Sequence, residues 1–153
     1  MGNTPQAFKE NHLFFYQPSD TEFEEVNVFA HAMRAYRQFQ DLGYIGSKQV
    51  VFLNLHESSK TKTNNALYIP GSENQNPSIS ISDSDGRVLQ NLTTDSDVIR
   101  HELAHHMIYP YLSSTSSTEE DSQHSGTLNH SLILHEGLAD FFAAITSGDS
   151  CLG

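Results

Sequence analysis

Hydrophobic and polar positions divide this chain into stretches of two different periods. Between Glu22 and Leu42, the residues Val26, Phe29, Met33, Tyr36 and Phe39 recur at steps of three and four. That spacing predicts an amphipathic helix, with Gly43 placed to end it in a left-handed turn. Residues 49–56 contain the run Val-Val-Phe-Leu-Asn-Leu, which predicts a short buried strand. After a polar connection at 60–64, residues 66–69 read as a second strand, halted by Pro70-Gly71. Residues 78–82 alternate strictly, Ser-Ile-Ser-Ile-Ser, so one face is expected to be buried and the other wet. A turn is expected at 83–87 and a returning strand at 88–92.

A helical pattern then resumes. Thr94, Asp95 and Ser96 offer capping side chains, and Asp97 suits the positive end of a helix. Pro110 is expected to end this helix, because its nitrogen has no hydrogen to donate. Residues 113–126 are poor in apolar side chains and rich in Ser, Thr and Glu, the composition of a flexible loop. A last helix is predicted over 127–146, closing before Gly148. The expected fold is α+β: an N-terminal helix, a small mostly antiparallel sheet, and two further helices, with 1–20 as an N-terminal extension.

Composition narrows the class of function. A chain of 153 residues suits one domain with a moderate core. Eight basic residues against nineteen acidic ones give a formal net charge of −11. No basic footprint for nucleic acid is present, which argues against that class of partner. Cys151 is the single cysteine, so an internal disulfide is ruled out. Residues 1–11 lack the pattern of a signal peptide, and no apolar run reaches the length of a membrane span.

The chemistry concentrates in His101-Glu102-Leu103-Ala104-His105. On a helix, two histidines four apart project from one face, where both imidazoles can grip a single zinc ion. Glu102 cannot join them symmetrically, but it can stand beside a water on the metal and serve as general base. The motif therefore points to zinc-assisted attack of water on a peptide bond. Two histidines alone would hold zinc weakly, so a third ligand is required. The last helix supplies Glu136 and Asp140, four apart and on one face. Gly137 and Ala139 between them are small enough to admit a neighbouring helix. Packed there, Glu136 can reach the metal, and Asp140 can accept the outer N–H of a ligand histidine.

Asp97-Val98-Ile99-Arg100-His101-Glu102-Leu103-Ala104-His105 followed by Glu136-Gly137-Leu138-Ala139-Asp140 resembles the thermolysin-like and fungalysin-like zinc metalloproteases, the gluzincins. Asn64-Asn65-Ala66-Leu67-Tyr68 upstream is a third match. The resemblance implies a zincin-like domain over 1–153 with His101, His105 and Glu136 on zinc, Glu102 as catalytic base and Asp140 orienting His101. It also implies that Asn65 and Ala66 hold the substrate peptide as an added strand. Calcium stabilises many relatives, but no calcium site is placed in this sequence. Family habit implies a secreted or extracytoplasmic protein. The family also continues into a helical half that stabilises the oxyanion and completes the specificity pocket, and that half is missing from this chain. Two readings stay open: a zinc endopeptidase acting on peptide or protein substrates, or a catalytically incomplete module or fragment that binds zinc and a peptide or partner.

Some features are better read plainly. His106, His124, His130 and His135 are expected to be ordinary helix or loop histidines, with His106 turned about 100° from His105. Tyr109 and Tyr111 are read as core or rim residues in preference to oxyanion donors. Asp83-Ser84-Asp85-Gly86 lacks the later ligands of a calcium loop and is read as a turn. Oligomeric state and substrate preference are not legible.

Overall fold

Small side chains decide how the first helix packs. A computed structural model describes residues 7, 13–45, 52–55, 65–81, 92–113 and 130–148, with backbone alone at 52–55, 113 and 130–132. Helix α1 spans Thr21–Asp41 and buries Val28, Ala35 and Phe39, with Ala32 and Tyr36 partly buried beside them. The expected stripe is met in part: Tyr36 and Phe39 pack inward, whereas Phe29 and Met33 are 54% and 37% exposed. Alanines at Ala32 and Ala35 let α1 lie close to its neighbours, and close approach outweighs side-chain size in selecting the buried stripe. Gly43 ends the helix at φ +95°, the left-handed region glycine enters without strain. Upstream, the Ala7 N–H donates to Glu25 Oε2 at 2.7 Å.

The sheet has three strands, β1 (Phe52–Leu55), β2 (Ala66–Ile69) and β3 (Ser78–Ile81), in the order β1-β3-β2. β2 runs antiparallel to β3 with Tyr68 opposite Ile79, whereas β1 runs parallel to β3 with Leu53 opposite Ile79. The fold is α+β, and the sheet is mixed, with one pair of each kind. Between β2 and β3 the chain pinches at Gly71, where a Cβ would lie 2.8 Å from Pro77 Cδ and 2.9 Å from the Gln75 carbonyl. Only a glycine fits that approach.

The expectation of a wet face on β3 is corrected. Ser78 and Ser80 are buried along with Ile79 and Ile81. β3 is the central strand, flanked on both edges, and a serine is too short to reach past its neighbours. The turn at 83–87, the strand at 88–91 and the loop at 114–126 lie outside the described residues. Leu92 itself opens a single 3-10 turn, Leu92–Thr94.

Helix α2 spans Ser96–Ser113, and Asp95 caps it by accepting the Asp97 N–H at 2.9 Å. Pro110 does not stop it, contrary to expectation: the helix continues to Ser113. A proline there removes one bond, to the His106 carbonyl, and leaves the donors of the following residues intact. Tyr111 also packs edge-on against Tyr44 beyond α1, at 6.5 Å between ring centroids. Helix α3 spans His130–Ser147 and closes on Gly148 at φ +76°. Among the described residues, no helix is long and apolar enough to cross a membrane.

α2 is the hub, packed against α3, α1 and β2. Its Ile99, Leu103, Ala104 and Met107 join Val28, Phe39, Ile79, Ile81 and Ala139 in one core. Substituting Ile79→Ala, at 2% exposure, is expected to cost about 2–5 kcal/mol, read as a lowered urea midpoint with an unchanged slope.

Candidate metal centre

α2 and α3 lie antiparallel, and their facing residues pair in order along the seam. His101 Nδ1 lies 2.8 Å from Asp140 Oδ1, and His101 Nε2 lies 3.2 Å from Glu136 Oε2. One turn on, His105 Nε2 stands 3.4 Å from the same Glu136 oxygen and 3.0 Å from His101 Nε2. Three donor atoms thus converge on one point, a group that could hold a metal ion. Two imidazole nitrogens and a carboxylate oxygen at such spacing repel unless a proton or a cation lies among them. Because an ionised carboxylate only accepts, Asp140 takes the Nδ1–H of His101, which leaves the lone pair of Nε2 facing the group.

The helix–helix approach that brings these atoms together is set by alanine. Ala139 and Ala143 are fully buried, as is Ala104 opposite them. Gly137, expected to share this role, does not: it is exposed, and nothing lies within 4 Å of where its Cβ would stand. Gly137 sits about 160° around the helix from Ala139 and about 120° from Ala143, away from α2. Ile133, Leu134 and Phe141 are likewise about half exposed.

Arg100 was not singled out from the sequence, and it ties three helices together. Its Nη1 donates to Gln38 Oε1 of α1 at 2.8 Å and to the Thr146 carbonyl near the end of α3. At 7% exposure it is buried, and burial lowers the pKa of its guanidinium. The spacing of Arg100, Leu103, Ala104 and Met107 along one helical face was the available signal.

Glu102 points elsewhere, toward β2. It is buried at 7% exposure, and burial raises its carboxyl pKa, with Glu136 adding to the rise. The positive field of His101 and a hydrogen bond from the Tyr68 backbone N–H act in the opposite direction. That bond also fixes the direction of β2. Tyr68 and Ile79 oppose each other in the ladder, and the Tyr68 N–H turns away from β3 to meet Glu102. By the alternation of a strand, Ala66 two residues earlier turns its N–H and C=O to the same outer edge. The Ala66 side chain is buried at 9%, and Asn65 before it is exposed.

Aromatic rings surround His105. Tyr68 lies parallel to it at 6.5 Å, and His135 lies 6.0 Å from it. Tyr109 approaches both Tyr68, at 5.9 Å, and His135, at 6.0 Å. His106 is buried and faces Tyr68, with its Nδ1 3.5 Å from the phenol oxygen. Burial pushes the Tyr68 phenol up to about 12. Burial lowers the pKa of His105 and of His106, and His101 lowers that of His105 further. A histidine kept neutral is the form that can bind a metal.

Compared with models of protein families and with curated proteins, the chain matches none.

Two outcomes follow from this geometry. Asp140→Ala is expected to weaken metal binding about 10–100-fold, read by competition with a chromogenic chelator, while the helix content stays unchanged. His31, His105 and His106 all have folded-state pKa values below the ordinary 6.5. The folded chain therefore binds fewer protons than the unfolded one just below that value, so stability is full above pH 6.5 and is lost as pH falls through it. In metal-free protein, the thermal midpoint is expected to drop between pH 7 and 5, with a shallower drop in His106→Leu.

Proposed function

We propose that this protein is a zinc-dependent endopeptidase, with His101, His105 and Glu136 as the metal ligands and Glu102 as the catalytic base. The donor set supports zinc in particular. Tetrahedral zinc with bonds of about 2.0–2.1 Å holds its ligand atoms about 3.3 Å apart, and the three separations here are 3.0, 3.2 and 3.4 Å. Two imidazoles and one carboxylate form the ligand set of an open catalytic site, which leaves a fourth position for solvent or substrate. When bound, zinc supplies Lewis acidity to a carbonyl oxygen and acidity to water.

The observation that carries the reading is the placing of Glu102. It sits one residue from a ligand yet outside the ligand triangle, buried and held by the Tyr68 N–H. A carboxylate whose pKa is raised by burial is a stronger base than an exposed one. Glu102 takes a proton from the attacking water as its oxygen bonds to the scissile carbonyl carbon. It then delivers that proton to the amide nitrogen as the carbon–nitrogen bond breaks. Asp140 keeps His101 in the tautomer and orientation that the ligand role needs.

The substrate is a peptide or protein bound in extended form. The outer edge of β2 at Ala66 offers one N–H and one C=O to it, with Asn65 beside them, as strand addition requires. By its resemblance to the gluzincins the protein works outside the cytoplasm.

Glu102→Gln is the decisive variant. Cleavage of casein or of a quenched fluorescent peptide is expected to fall by about 10²–10⁴-fold, with zinc content by atomic absorption unchanged. Unaltered proteolysis in that variant would overturn the mechanism. Wild-type protein that retains zinc and cleaves nothing would mark a metal-stabilised peptide-binding module instead.

A further inference from the structure

The ligand seam does not end at His105. One turn further along α2 stands Tyr109, and facing it across the seam on α3 stands His135, with ring centroids 6.0 Å apart at an interplanar angle of 44°. Both are partly exposed. His135 also lies 6.0 Å from the ligand His105, and Tyr109 lies 5.9 Å edge-on from Tyr68 on the strand that carries the outer edge. Three rings from three elements, β2, α2 and α3, thus stand together, with Tyr68 and His135 against His105 and Tyr109 touching both of them. Neither Tyr109 nor His135 is needed to hold the core, whose buried members are other residues.

We infer that Tyr109 and His135, backed by Tyr68, form a substrate subsite beside the metal that takes an aromatic side chain. This rests on the proposed peptide-binding role of the site and names the side chain it prefers. Ring faces and edges at tilted angles favour a further ring, packed edge-to-face or offset. Of the two seam carboxylates, Glu136 turns its oxygen to the histidine nitrogens, and Asp140 lies the other way along the seam. Asp140 pairs with His101 at its far end, about 7–8 Å along α3 from His135. An aromatic side chain therefore meets the Tyr109 end free of the repulsion or ion pairing that Asp140 would bring.

The subsite is tested by binding, independently of turnover. Zinc-loaded Glu102→Gln protein is titrated calorimetrically with blocked hexa-alanine peptides carrying Phe, Lys or Asp at each position in turn. For one position, Phe is expected to bind about tenfold more tightly than Ala, Lys or Asp. Adding His135→Ala or Tyr109→Leu is expected to bring Phe close to Ala, while Tyr109→Phe, which keeps the ring, preserves the preference. Equal affinities throughout the peptide set would overturn the subsite, as would a Phe preference that survives both ring deletions. A preference for Lys that the ring deletions abolish would also overturn it, in favour of a cation seat. Wild-type protein that shows the Phe preference without cleaving any peptide would sink the protease reading and leave the subsite standing.

Discussion

Two histidines stand on one helix and the carboxylates they meet stand on another, so everything at the centre depends on how closely α2 and α3 approach. Donor atoms 3.0–3.4 Å apart tolerate little error in helix separation or register. Separation is set by small side chains: Ala104 on α2 and Ala139 and Ala143 on α3 are fully buried at the seam. Register is set at the far end, where Arg100 donates to the Thr146 carbonyl. Arg100 precedes His101 directly, so the residue that fixes α3 along its axis belongs to the same turn of helix as the first histidine of the cluster. A one-residue slip of α3 would rotate Glu136 by about 100° and carry it about 1.5 Å along the seam. The convergence of the three donor atoms would then be lost.

The rest of the fold holds α2 still. α1 braces it from behind through Gln38 and Arg100, and the Asn27 amide donates to the Thr93 carbonyl just before α2 begins. The sheet braces it from the side through the Tyr68 N–H on Glu102. That last contact serves two ends. It supplies a donor to a buried carboxylate, and it aligns the outer edge of β2 with the centre. The proposed base and the strand proposed to hold the substrate thus share one hydrogen bond.

Much of this was legible in the sequence where helical period translates directly into geometry. His101 and His105, four apart, had to share a face, and so did Glu136 and Asp140. Ala66–Ile69 was readable because a β-prone run is cut by Pro70-Gly71. Other features depended on neighbours that a local pattern does not contain. The Ser-Ile alternation said nothing about β3 being central, so the burial of both its faces was hidden, as was the parallel pairing with β1. Large residues drew attention on α1 and α3, and Phe39 does pack against Phe142, but the fully buried Ala35, Ala139 and Ala143 were overlooked. Gly137 looked like a packing glycine only because its position around the helix relative to α2 was unknown. The alignment of Tyr109 with His135 was similarly invisible, because it required the register of two helices whose ends the sequence left uncertain.

Glu102 and Glu136 show how little the residue type decides. Both are glutamates on helices beside the same two histidines. Glu136 is about half exposed and turns toward the imidazole nitrogens, where a carboxylate is worth most as a charge beside a cation. Glu102 is nearly sealed from solvent, and burial works to keep its proton on. A ligand must hold its negative charge in every step, whereas a base must gain and lose a proton. The first task needs a partner cation and tolerates water. The second needs a dry pocket with a donor that does not itself titrate, and a backbone N–H is such a donor. The proposed division of labour between the two glutamates therefore follows from which one faces β2 and which one faces the seam.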